Sequence, residues 1–352
     1  MSPVSYHQKI VTDGEVFSES FQPRIIHVRE SHVRELISYL SGDTGIGASS
    51  HTWLYGPTGS GKTCIVRYVL EELNKRFNIR SAYVNCWNHL TSFSILQKVE
   101  KNLRLLGSEN NSTTVKLGKI AKAVGPKPFI LVLDEIDKVA PRERNAILYK
   151  FAEIANLNLI CIASNRHSFH ILEDRVKSRL NPMLLEFKTY TDIDLVTISR
   201  YRAELGLNPD AWSERILRRI SILAAGDARY ALQMLTISSR LAEKDGCKVI
   251  KDKHINEAWN QARELNSIYA LCALSEHHKL LFQLVKQKGE VLSGELWQLY
   301  LKKCKARRIK PIAIRTFSEY MNRLIREGLI NGNRAQSRGR VRIFSIVNQG
   351  RN

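Results

Sequence analysis

At 352 residues, 43% hydrophobic and 25% charged, the chain exceeds what one core usually holds, and wholesale disorder and low-complexity architecture are excluded. Its 54 Lys and Arg against 34 Asp and Glu give a net charge of +20. The excess is uneven: residues 267–352 hold 17 basic and 5 acidic side chains, a balance of +12, which leaves +8 on the first 266.

In chain order, short apolar, β-branched runs fall at His51–Tyr55, Ser81–Cys86, Phe129–Leu133, Leu159–Ala163 and Met183–Phe187. Helical spacing lies between them. Ile65, Val66, Val69, Leu70, Leu73 and Phe77 recur on one face, as do Ile95, Leu96, Val99, Leu103 and Leu106. Strands alternating with helices predict an α/β core with a parallel sheet covered on both faces. From about Tyr190 the pattern is helical for eighty residues, broken at Gly206–Pro209, at Gly226-Asp227 and at Asp245-Gly246. From near Ser267, three helical patterns and an alternating segment over Arg340–Ile346 make a winged helix. The expected division is 1–188, 189–266 and 267–352.

Directly after the first strand stand Gly56, Pro57, Thr58, Gly59, Ser60, Gly61, Lys62 and Thr63, a complete G-x-x-x-x-G-K-[ST] run that opens a helix. In such a loop backbone N–H groups and the helix N-terminus cradle phosphates, Lys62 reaches the β- and γ-phosphates, and the Thr63 hydroxyl ligates Mg²⁺. The run Phe129–Leu133 then delivers Asp134 and Glu135 at a strand's carboxyl end, where open parallel sheets bind ligands. Asp134 suits the Mg²⁺ shell, and Glu135 the positioning or deprotonation of an attacking water. Asn165, after the run ending at Ala163, can hold that water, or serves only the turn. Arg229 opposes the dipole of the helix it opens, which a phosphate contact would explain. Solvated surface arginine is the simpler alternative.

These features, with Arg179 and the Gly226-Asp227-Ala228-Arg229 signature, resemble the AAA+ ATPases. More closely the chain resembles the archaeal replication-initiator family, related to the first subunit of the eukaryotic origin recognition complex and to cell-division-control protein six. Leu131–Lys138 and Arg175–Leu180 carry that likeness, and Pro23–Glu30 is similar to the family's adenine segment. The resemblance implies ATP or ADP with Mg²⁺ as cofactors, Asn165 as sensor 1, and Arg229 as sensor 2. It also implies a purine near Ile25, Ile26 and Val28. Arg179 matches the arginine finger, with Arg175 close enough to compete. An extra helix that distorts DNA corresponds loosely to Trp87–Phe93. The implied activity is a weak, regulatory ATPase that binds origin duplex, helps load the replicative helicase and acts alone or beside a paralogous initiator. A clamp loader, a branch-migration motor or an ATP-sensing regulator are the alternatives.

Residues 302–342 carry thirteen Lys and Arg against Glu319 and Glu327, a density suited to phosphate binding. With Pro311 in its first turn, the recognition helix should run from about Ile312 to Glu327. Its outward face then offers Arg315, Thr316, Glu319, Asn322 and Arg323, the first three as readers of base edges. Arg334, Arg338, Arg340 and Arg342 belong to the wing, on backbone or in the minor groove. The longest apolar run, Ile268–Leu274, is too short to span a bilayer, and the first thirty residues have no signal-peptide core. A soluble, cytoplasmic, nucleoid-associated protein without a membrane partner is expected. Six cysteines with no CxxC pair read as reduced core residues.

Overall fold

The apolar runs of the first half become five parallel strands. A computed structural model describes residues 9–41, 50–105, 111–272, 274–326, 328–334 and 342–346, in two units that part between Asp252 and Lys253. The first unit contains, in chain order, α1 (Glu30–Ser41), β1 (Thr52–Tyr55), α2 (Lys62–Phe77), β2 (Arg80–Asn85), α3 (Ser92–Asn102), α4 (Thr113–Val124), β3 (Phe129–Asp134) and α5 (Pro141–Phe151). β4 (Leu157–Ala163), α6 (His167–His170), α7 (Asp174–Leu180) and β5 (Met183–Glu186) complete the sheet layer. The strand order is β2-β3-β4-β1-β5, parallel throughout.

Alternation along each strand sorts the core into two layers, as a sheet covered on both faces requires. Trp53, Leu131, Leu133, Leu159 and Cys161 pack with residues of α3, α4, α5 and α7. Leu54, Ile130, Val132, Ile160 and Ile162 pack with Leu36 of α1 and with Ile65, Val66 and Val69 of α2. Phe77 departs from its predicted face: it is exposed, because α2 ends at Asn78 in the left-handed conformation, φ +51°. The helix expected over Trp87–Phe93 does not form. Asn85 accepts the Trp87 N–H at 2.8 Å in a turn, and Thr91 caps α3 only from Ser92 onward.

α3 and α4 share a buried ion pair. Lys116 Nζ donates to Glu100 Oε2 at 2.7 Å, with both side chains almost wholly removed from solvent.

The three helices that follow are α8 (Asp192–Gly206), α9 (Glu214–Ala224) and α10 (Ala228–Lys244). Thr191 and Asp194 form a capping box on α8, and Asp227 caps α10 by accepting from the Arg229 and Tyr230 N–H groups. The N-terminal strap, residues 9–22, is pinned to this helical layer. The Ile10 and Val11 N–H groups donate to Glu243 at 2.7 and 2.9 Å, and the Thr12 N–H donates to the Gly206 carbonyl at 2.9 Å. Gly206 is required there, since a Cβ would lie 2.6 Å from the Phe17 ring.

α11 (Asp252–Cys272) opens the second unit as one continuous helix, so residues 266 and 267 both lie inside it. It is followed by α12 (Glu276–Lys288), β6 (Glu290–Leu292), α13 (Ser293–Arg307), α14 (Ile314–Arg326), β7 (Ile330–Arg334) and β8 (Arg342–Ile346). β6, which the alternation did not reveal, completes an antiparallel sheet in the order β6-β8-β7. Three residues are too few to show a period. Leu281, Leu296, Tyr300, Met321, Leu324 and Phe344 form the core. α14 begins at Ile314, so Pro311 lies in the preceding connection and not in the helix's first turn. Tyr300 fixes that connection: its hydroxyl accepts the Ile312 N–H at 3.1 Å and bonds His277 Nδ1 at 2.8 Å.

Removing one partner of a buried ion pair strands the other charge. Lys116→Met should therefore destabilise the chain by about 3–5 kcal/mol in urea unfolding, whereas Lys116→Met with Glu100→Leu should lose far less.

Candidate functional site

The carboxyl ends of β1, β4 and β3 lie side by side in the sheet order, and the polar residues that follow them meet at one cavity. After β1 comes the glycine-rich loop. Gly59 has φ +70° and Gly61 φ +91°, conformations that side chains resist. Both are also crowded. A Cβ on Gly59 would lie 1.9 Å from the Asp227 carboxylate, and one on Gly61 would lie 2.2 Å from the Tyr190 hydroxyl. The loop ends in the first turn of α2, whose amides lack intrahelical partners and suit an anion.

Lys62 folds back on this loop, with Nζ donating to the Gly56 and Pro57 carbonyls at 2.7 Å each. Burial lowers its pKa to about 8, against the opposing pull of Asp134. An ammonium desolvated among backbone carbonyls gains from any anion that enters beside it.

The Thr63 hydroxyl donates to Asp134 Oδ2 at 2.8 Å, and the Tyr83 hydroxyl donates to the same oxygen. Asp134 is 3% exposed and accepts the Glu135 N–H through Oδ1 at 2.9 Å. A hydroxyl and a carboxylate held this way offer two hard oxygens, the donor set Mg²⁺ uses when phosphates complete its shell. Glu135 follows in the left-handed region, φ +56°, and lines the cavity. Burial raises its pKa, and the Asp134 charge adds to the effect. At the end of β4, Ser164 lines the cavity and donates through Oγ to Asp137 Oδ2 at 2.6 Å.

The cavity measures about 630 Å³ and takes in Thr58, Gly59, Ser60, Gly61, Lys62 and Thr63 together with Asp134 and Glu135. Arg229, in the first turn of α10, lines it from the helical layer, and Ile25, Ile26 and Val28 line it from the N-terminal side. Thus nearly all the residues singled out for nucleotide chemistry come together. Asn165 does not. It is exposed, its Oδ1 accepts the Ser168 N–H at 3.0 Å, and its Nδ2 donates to Ser164 Oγ at 3.1 Å, so Ser164 faces the cavity in its place. Arg179 and Arg175 also stand apart, both over the Tyr149 ring, with Arg179 3.6 Å from Glu153 and Arg175 2.6 Å from Glu173. Tyr83, Asp137, Ser164 and Tyr190 were not foreseen. Asp137, in the Leu131–Lys138 run, and Ser164, next to Asn165 after the run ending at Ala163, carried a local signal, whereas Tyr83 reaches the site only through the pairing of β2 with β3.

In the second unit, Arg315, Glu319, Asn322 and Arg323 are exposed on α14 and Thr316 is half-buried, opposite the buried Phe317, Met321 and Leu324. Among the described residues no carboxylate pairs with Arg315 or Arg323. Arg342 of β8 is tied to the helix, its Nη1 donating to Asn322 Oδ1 at 2.6 Å. Arg338 and Arg340, and the side chain of Arg334, lie outside the described residues. No described helix is long and apolar enough to cross a membrane.

A parallel sheet with a phosphate loop, an acidic strand end, a helical layer bearing Arg229 and a separate winged-helix unit defines an AAA+ ATPase of the DNA-replication type. Family models match in order: an AAA domain over residues 35–172, a Cdc6 AAA+ ATPase-type lid domain over 196–260, and the CDC6 C-terminal winged helix domain over 267–349. The chain belongs to the archaeal Orc1/Cdc6 family of replication initiators. It is 28% identical over 344 residues to an ORC1-type DNA replication protein of Halobacterium salinarum, covering 96% of this chain and 94% of that protein. A Desulfurococcus amylolyticus ORC1-type DNA replication protein is 27% identical over 372 residues, covering 98% and 90%. The Aeropyrum pernix ORC1 protein, solved in complex with DNA, superposes with a TM-score of 0.80 at 25% identity, covering 96% of this chain and 94% of that one.

Gly59→Ala should force Asp227 off the cap of α10 and strain the loop, lowering stability by about 1–2 kcal/mol. Asp227→Ala should cost a similar amount, and thermal unfolding of the double variant should show less than the sum of the two.

Proposed function

We propose that this chain is an ATP-regulated initiator that binds origin duplex DNA through its winged helix, makes a weaker contact through its AAA+ domain, and helps recruit and load the replicative helicase. In this reading residues 1–188 bind nucleotide, 189–266 form the lid and 267–352 hold the main duplex contact. A paralogous initiator is a further partner. The observation that carries the nucleotide reading is the Thr63 to Asp134 bond, with Glu135 beside it and Arg229 on the wall of the same cavity.

Bound Mg²⁺ would neutralise charge on the transferred phosphoryl group. Lys62 and Arg229 provide cations at the loop, Thr63 and Asp134 would hold the metal, and Glu135 orients the attacking water. Its raised pKa, set by burial and Asp134, fits a group that takes up a proton. Asn165, at the end of β4, needs only to release its two turn bonds to assist as sensor 1. Arg179, exposed and away from the cavity, fits a finger that acts on a neighbouring subunit's nucleotide, with Arg175 its rival. In this reading hydrolysis is weak and regulatory, and it sets how long the ATP-bound form lasts.

For DNA, Arg315, Thr316 and Glu319 read base edges from the start of α14, and Asn322 and Arg323 extend its face. The bond from Arg342 to Asn322 anchors the wing strand, which leaves Arg334, Arg338 and Arg340 to meet phosphates. That the Aeropyrum pernix ORC1 protein, similar along nearly its whole length, was solved in complex with DNA supports duplex DNA as the ligand.

Glu135→Gln should bind ATP as the wild type does while turnover falls at least about 100-fold; normal turnover would assign the water to another residue. Arg315→Ala should weaken the preferred duplex by about 1–3 kcal/mol and relax sequence preference, whereas Arg340→Ala should weaken all duplexes and lower the salt slope by about one unit. Titrations at several salt concentrations measure both. An unchanged slope in Arg340→Ala would remove the wing from the phosphate contact.

A further inference from the structure

Arg202 stands on α8, 7% exposed, and its side chain lines the cavity. Its Nη1 donates to the Val16 carbonyl at 2.6 Å, and its guanidinium carbon lies 4.2 Å from the centroid of the Phe21 ring. Among the described residues it has no carboxylate partner and makes no other side-chain hydrogen bond. A guanidinium carries five N–H donors and keeps its charge. A cation this deeply buried, with one bond to protein and none to a counter-ion, is costly unless something else accepts from it.

The surroundings say what that acceptor belongs to. Arg202 adjoins Phe21, Cys64 and Tyr201, and the Tyr201 ring lies 4.6 Å from that of His27. Gln22 spans to the Cys64 carbonyl at 3.3 Å. Aromatic and apolar walls suit a planar heterocycle, whereas Lys62 and Arg229 already stand at the phosphate loop.

We propose that Arg202 is a nucleotide-contact residue that donates from the lid to an acceptor of the nucleoside moiety, a purine ring nitrogen or a ribose hydroxyl. This rests on the cavity being the nucleotide site, and it assigns a contact that Ile25, Ile26 and Val28 cannot make, because they have no side-chain polar group. The bond to Val16 gives the same guanidinium a second task. It ties the strap to the lid, so that nucleoside, strap and lid share one donor.

The test is equilibrium titration of the full chain, wild type and Arg202→Met, with ADP, ATP and 1-deaza-, 3-deaza-, 7-deaza-, 2′-deoxy- and 3′-deoxy-ADP. Arg202→Met should lose the same factor for ADP and ATP, about 10- to 100-fold for a charged hydrogen bond. One analogue should bind the wild type more weakly than ADP does, yet bind Arg202→Met as well as ADP does; which one it is distinguishes ring nitrogen from ribose. Loss confined to ATP, or no analogue coupled to Arg202, would overturn the proposal. Should Arg202→Met not fold, the wild-type series still decides: five analogues equal to ADP would overturn it. A wild type that binds neither ADP nor ATP would remove the nucleotide reading itself, whereas nucleotide binding without coupling removes Arg202 alone.

Discussion

The 2.8 Å bond from the Thr63 hydroxyl to Asp134 joins points 71 residues apart, and the first unit is arranged around making it possible. β1 supplies the loop before Thr63 and β3 supplies Asp134, yet the two strands are not neighbours: β4 lies between them. All three must therefore run parallel and end level. The register achieves this, pairing Tyr55 with Ala163 and Leu133 with Cys161. Since β4 occupies the middle, Ser164, the residue after its end, is placed at the cavity, where it bonds Asp137.

The second constraint is the close approach of other segments to the loop. Asp227 caps α10 with the same carboxylate oxygen that occupies the space a Cβ on Gly59 would need, so the start of the lid helix and the phosphate loop are fitted to each other. That fit brings Arg229, two residues on, to the cavity. The strap adds a third side, held to the lid through Glu243, Gly206 and Arg202. A ligand in this cavity touches sheet, lid and strap at once, and its binding is thereby linked to their relative placement.

Much of this was legible in the sequence because the signals were local. The loop motif, the apolar strand ending in Asp134-Glu135 and the Gly226-Asp227 break before Arg229 each fix a residue's position from its immediate neighbours. Signals that depended on register or on tertiary contact failed. Tyr83 reaches Asp134 only because β2 pairs with β3, and Arg202 reaches the cavity only because the strap folds back on α8. Asn165 was placed correctly at a strand end, but its side chain closes a turn. In the second unit the three helices were clear from spacing, whereas β6 was too short to show, and Pro311 sits before α14 because Tyr300 holds Ile312 in the connection.

The uneven charge finds its place in the same architecture. The exposed cations of α14 stand on a helix whose other face is core, so they are available to a duplex without cost to the fold. The central claim is that this basic winged helix, on a nucleotide-governed ATPase, selects particular sites in a genome. A genome-wide footprint of the bound protein tests it most directly. The account predicts occupancy concentrated at one or a few intergenic regions where DNA synthesis begins. Occupancy spread evenly over the chromosome, or gathered at branched DNA, would contradict it.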